Sequence, residues 1–60
     1  MTEQMMYELY TVMAAELADS GLTPRTAIET TLARVSKMGE DEKQLVHATY
    51  RDQYPWLGGL

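Results

Sequence analysis

Sixty residues with no cysteine and a net charge of −4 make one domain at most, and they exclude a disulfide framework or a thiolate metal site. A single core in so short a chain supplies only about 3–5 kcal/mol, which leaves oligomerisation or a partner protein as the remaining support. The negative balance argues against broad affinity for phosphate backbones, which requires clustered lysine and arginine.

The first ten residues, MTEQMMYELY, lack a basic stretch followed by an unbroken apolar run, so no signal peptide is expected there. No run approaches the length of a membrane span. These readings together predict a cytoplasmic protein.

The spacing predicts a first helix over about 3–20, with Thr2 as N-cap and Glu3 in the first turn, where the helix dipole favours an acid. Met5, Met6, Leu9, Tyr10, Val12, Met13 and Leu17 fall on one broad apolar arc. Ala14, Ala15 and Ala18 lie opposite it with Tyr7 and Thr11. Gly21 stops the helix, and Leu22 is placed to pack back on it. Glu3, Glu8, Glu16 and Asp19 stand in residues 1–20 without a base.

A second helix is predicted over 24–38. Thr23 caps it, Pro24 takes the first position, and Gly39 closes it. Its apolar stripe is Ala27, Ile28, Thr31, Leu32, Val35 and Met38. Arg34 and Lys37 complement the dipole at its end. With Arg25 they outnumber the one acid, Glu29, so an acidic first helix faces a mildly basic second one.

The third helix is expected over 42–53, with Asp41 and Gln44 as a capping box and Leu45, Val46, Thr49 and Tyr50 as a thin apolar face. Pro55 ends it. The tail Trp56-Leu57-Gly58-Gly59-Leu60 reads as too rich in glycine to be helical. The expected fold is therefore all-α: an antiparallel hairpin, a short third helix and a C-terminal aromatic tail. The expected hairpin core is Leu9, Met13, Leu17, Ile28, Leu32 and Val35, with Trp56 folded back over it.

No constellation for catalysis is legible. His47 has no nucleophile beside it in the pattern, one imidazole does not make a metal site, and Gly58-Gly59 is no phosphate cradle. The expectation is a non-enzymatic chain without cofactor, metal or small-molecule substrate.

What remains points to protein partners. Five methionines and no phenylalanine suit a surface that adapts to others. Glu16 falls inside the apolar arc, where a carboxylate needs a partner, for which Arg25, Arg34 or another chain are candidates. His47, Tyr50, Arg51 and Tyr54 share one stripe of the third helix, and tyrosine, arginine and tryptophan lead binding hot spots. The candidate protein interface is thus Met5, Met6, Tyr10, Met13, Glu16, Tyr50, Arg51, Tyr54 and Trp56.

The run from Leu17 to Ala27, and Gly21-Leu22-Thr23-Pro24-Arg25-Thr26 within it, resembles the turn and recognition-helix start of helix-turn-helix domains such as those of sigma factors and response regulators. Leu17, Ser20 and Ala27 depart from that pattern. The resemblance implies a DNA-binding regulator in which Arg25 and Thr26 face DNA.

The leading expectation is an interaction module, a homodimer or partner-dependent, that regulates or inhibits a larger protein by occupying its surface. Small regulators encoded by bacteriophages and mobile elements have this size and charge. A structural subunit of a larger assembly is a further alternative.

Overall fold

The structure, a computed structural model, describes residues 1–59. Leu60, counted in the tail above, lies outside the described residues. Three α-helices and a closing 3-10 turn make up the fold: α1 (Glu3–Asp19), α2 (Pro24–Ser36), α3 (Glu40–Gln53) and η1 (Pro55–Gly59). The all-α expectation holds, and no strand occurs among the described residues.

The α1–α2 connection follows from its residues. The Thr2 hydroxyl accepts from the Met5 amide and starts α1. At the far end the Gly21 N–H donates to the Ala18 carbonyl and the Leu22 N–H to the Leu17 carbonyl. This is the paired bonding of a Schellman motif, and it needs a left-handed residue, which Gly21 provides at φ 110°. Leu22 packs back and is half-buried. Thr23 then caps α2 through the Thr26 amide, with Pro24 in its first turn.

The α2–α3 junction differs from expectation. α2 ends at Ser36, and Lys37 is its C-cap. Gly39 does not close α2; it is the N-cap of α3 and offers no side-chain bond. α3 consequently starts at Glu40, and Asp41 lies in its first turn beside Glu40 and Glu42. Three carboxylates on the positive end of the dipole replace the expected capping box.

The tail is helical after all. Pro55 presets the backbone angle, the Leu57 N–H donates to the Tyr54 carbonyl, and Leu57 is fully buried. Burial of Leu57 offsets the entropy that the two glycines lose.

The core is small. Leu9, Met13 and Val35 form its centre, with Met1, Met6, Tyr10, Met38, Val46 and Tyr50 partly buried around it. On α2 the inward stripe is Ala27, Thr31 and Val35. Ile28 and Leu32, expected inside, are 54% and 52% exposed, and Leu17 is only half-buried. Small side chains at positions 27 and 31 let α2 approach the bulky face of α1, and that approach turns the larger pair outward. The face of α3 is likewise rotated from expectation. Leu45 and Thr49 are exposed, Val46 and Tyr50 are half-buried, and the buried residue is His47.

α1 packs against both other helices. Three contacts fix the sense of α3 on α1: the Met1 amino group meets Glu40, Glu8 meets His47, and Glu16 meets Tyr54. The partners advance together along both chains, so α3 runs parallel to α1.

Candidate interaction surfaces

The α1–α3 seam is polar. His47 Nε2–H donates to Glu8 Oε1 at 2.6 Å, and both residues are 3% exposed. Gln4 Nε2 donates to the other Glu8 oxygen at 3.2 Å. The hydrogen bond from His47, then that from Gln4, holds the Glu8 carboxyl below its ordinary value, against the opposing effect of burial. Two turns on, Tyr50 and Tyr54 each donate a hydroxyl hydrogen bond of 3.0 Å to one oxygen of Glu16. Burial and the Glu16 carboxylate push the Tyr50 phenol up to about 12, and the bond to Glu16 raises Tyr54.

Glu16 is therefore partnered by tyrosines, not by Arg25 or Arg34. Arg25 pairs instead with Glu29 at 3.0 Å on the exposed face of α2. The stripe His47, Tyr50, Tyr54 is directed at α1, so it closes the fold. Arg51 is exposed, and its guanidinium lies over Gly58, where an added Cβ would meet Nη2 at 2.5 Å. Of the other candidate interface residues, Met5, Met6 and Tyr10 are half-buried, while Met13 is inside the core and unavailable to a partner.

Two concave surfaces remain. The first is a groove of about 50 Å³ between α1 and α2, lined by Tyr10, Ala14, Ile28, Thr31 and Leu32. Its surface is apolar, but the buried Thr31 Oγ1 has no hydrogen-bond partner. A buried hydroxyl left unpaired costs about 1–3 kcal/mol. The second is a cleft of about 160 Å³ between the C-terminal half of α1 and the closing turn, lined by Val12, Ala15, Glu16, Asp19, Tyr54 and Trp56. Trp56 leans on Tyr54, with ring centroids 5.8 Å apart and planes tilted by 59°. It folds back only this far and stays 55% exposed. Among the described residues of the tail, the one that enters the interior is Leu57.

Comparison with models of known families, with curated proteins and with solved structures gives no match. The site must be read from its own chemistry. Among the described residues no three His, Cys, Asp or Glu side chains converge to hold a metal ion, and no helix is long and apolar enough to cross a membrane. Thr26, named with Arg25 for DNA, exchanges bonds with the Thr23 hydroxyl.

Sequence reasoning missed three features of these surfaces: the Glu8–His47 pair, the unpartnered Thr31 hydroxyl and the outward turn of Ile28 and Leu32. The first had a usable signal. Glu8 stands between Met5 and Val12 on the α1 arc, an acid on an apolar face, in a chain with one histidine. The other two depend on how closely α2 approaches α1, which periodicity does not encode.

Proposed function

We propose that this chain is a non-enzymatic helical interaction module that self-associates through the groove face of α1 and α2 and acts by occupying a surface of a larger protein. The observation that carries the reading is the outward pair Ile28 and Leu32 beside a groove whose floor holds an unpartnered hydroxyl. In a core built on three central side chains, leaving two large aliphatic residues half in water forgoes stabilisation the fold needs, unless another surface covers them.

A second copy suits this face because it places protruding aliphatics (Ile28, Leu32) next to small residues (Ala14, Thr31), so a two-fold arrangement lets each copy fill the other's groove. The helix-turn-helix alternative has less support, since Arg25 is engaged by Glu29 and the net charge is −4.

Sedimentation equilibrium across a wide concentration range tests the proposal. The unaltered chain is expected to reach twice its monomer mass at high micromolar concentration. Ile28→Glu and Leu32→Glu are expected to stay monomeric with helical circular dichroism intact, because both positions face outward. A chain that remains monomeric throughout overturns self-association.

A further inference from the structure

The second cleft lies apart from the groove and has a different chemistry. One wall is the pair of aromatic rings Tyr54 and Trp56, set at 59° to each other. The other wall, on α1, carries two carboxylates one turn apart, Glu16 and Asp19, with Val12 and Ala15 as an apolar floor. Both oxygens of Glu16 accept from tyrosine hydroxyls, which fixes the carboxylate in place but leaves its charge. Among the described residues no lysine or arginine forms an ion pair with Glu16 or Asp19.

Negative charge on one side and two ring faces on the other define what fits. A cation placed over tryptophan and tyrosine gains from the ring quadrupoles and from the carboxylates at once. The volume of about 160 Å³ falls short of the roughly 300 Å³ at which pockets for whole small molecules begin. It suits one side-chain head. Between the two basic side chains, arginine matches better. Its planar guanidinium can stack on Trp56 while its N–H groups reach the α1 carboxylates, and it gives up less hydration than an ammonium.

We infer that the cleft of Glu16, Asp19, Tyr54 and Trp56 is a receptor for an arginine side chain presented by a partner polypeptide. This site does not depend on self-association through the groove. It gives the exposed Trp56 a task that packing alone does not, and the tyrosine clasp holds the Glu16 carboxylate in place on one wall of the cleft.

The chain has one tryptophan, so its emission reports directly from the cleft. The full chain is titrated with N-acetylarginine amide, N-acetyllysine amide and tetramethylammonium chloride, each against sodium chloride at matched ionic strength. The arginine probe is expected to give a saturable change, with a dissociation constant on the order of 1 mM for so small a contact. The lysine and tetramethylammonium probes are expected to bind at least about fivefold more weakly. Asp19→Asn, at an exposed position, is expected to weaken the arginine probe by about threefold to tenfold with circular dichroism unchanged. Trp56→Leu, followed by the backbone amide shifts of Ala15, Glu16 and Asp19, is expected to weaken it similarly. A response equal to that of sodium chloride overturns the proposal. So does equal binding of all three cations, or arginine binding that survives both substitutions unchanged. A monomeric chain that still binds the arginine probe removes the groove proposal and leaves this one standing.

Discussion

Leu9 is closed to solvent while Leu32, on the neighbouring helix, keeps half its surface in water, so one substitution made at the two sites separates core from surface. Leu9→Ala removes methyl groups from the centre of the core and leaves a cavity, at a cost of about 2–5 kcal/mol. That range meets or exceeds what a core of this size provides, so the variant is expected to be largely unfolded. Leu32→Ala, measured on dilute monomer, is expected to cost about 1 kcal/mol or less, since the side chain is only half buried to begin with. Urea unfolding of both variants checks this; a Leu32 loss equal to that of Leu9 would place the pair inside a core. Side-chain size argued for the opposite assignment, because Ile28 and Leu32 are the larger members of the α2 stripe. The interior has taken the smaller set, Ala27, Thr31 and Val35, because helix approach is limited by what lies at the contact, and α1 already fills that space with Leu9 and Met13. Bulk was readable from the sequence; the distance between helices was not.

At the scale of elements, the start and stop signals were legible wherever one residue's backbone preference decides the matter. Gly21 is such a case. Its φ of 110° is open to L-residues only at a cost, and nothing lies within 4 Å of where a Cβ would be. Gly21→Ala therefore reports backbone strain without a clash and is expected to lose about 1–2 kcal/mol in urea unfolding. Gly39 was misread because a glycine after a helical run can end one helix or begin another, and here its φ is −76°, an angle any residue adopts. Gly39→Ser, which adds the cap oxygen α3 lacks, is expected to gain a few tenths of a kcal/mol. An equal loss at both glycines would contradict the assignment of strain to Gly21 alone. The η1 turn was missed for another reason. Composition argues against helix across Trp56-Leu57-Gly58-Gly59, and only the burial of Leu57 against the rest of the fold reverses that preference. Likewise the parallel run of α3 along α1 is set by polar pairs, Glu8 with His47 and Glu16 with Tyr54, that a search for apolar stripes passes over.

For the whole molecule, those pairs bound the pH range in which the fold is stable, and each edge has a definite sign. Glu8 is held below its ordinary value of 4.5 by hydrogen bonds from His47 and Gln4, and Glu40 by those from Lys43 and the Met1 amino group. A carboxyl whose pKa is lower folded than unfolded adds stability that is present above the unfolded value and lost as pH falls through the folded one. The acid edge therefore begins near pH 4.5. The alkaline edge runs the other way. Tyr50 rises from 10.0 to about 12, because burial disfavours the phenolate and its neutral hydroxyl donates to Glu16, and Tyr54 is raised as well, chiefly by the bond it donates to the same carboxylate. A phenol whose pKa is higher folded than unfolded adds stability that is whole below pH 10 and lost as pH rises from there toward about 12. Melting temperature is thus expected to fall at both edges. The edges are separable by substitution. Glu8→Gln keeps an acceptor for His47 but removes the titrating group; it is expected to lower the neutral melting temperature by about 5 °C, as for a buried hydrogen bond that loses its charged acceptor, and to reduce the acid edge to the share that Glu40 keeps. Tyr50→Phe with Tyr54→Phe is expected to leave the acid edge alone and flatten the alkaline one. Thermal melts by circular dichroism across the pH range, read beside tyrosinate absorbance, decide the matter. An alkaline edge that survives in the double phenylalanine variant would mean that some group other than the Glu16 clasp holds α3 on α1 at high pH.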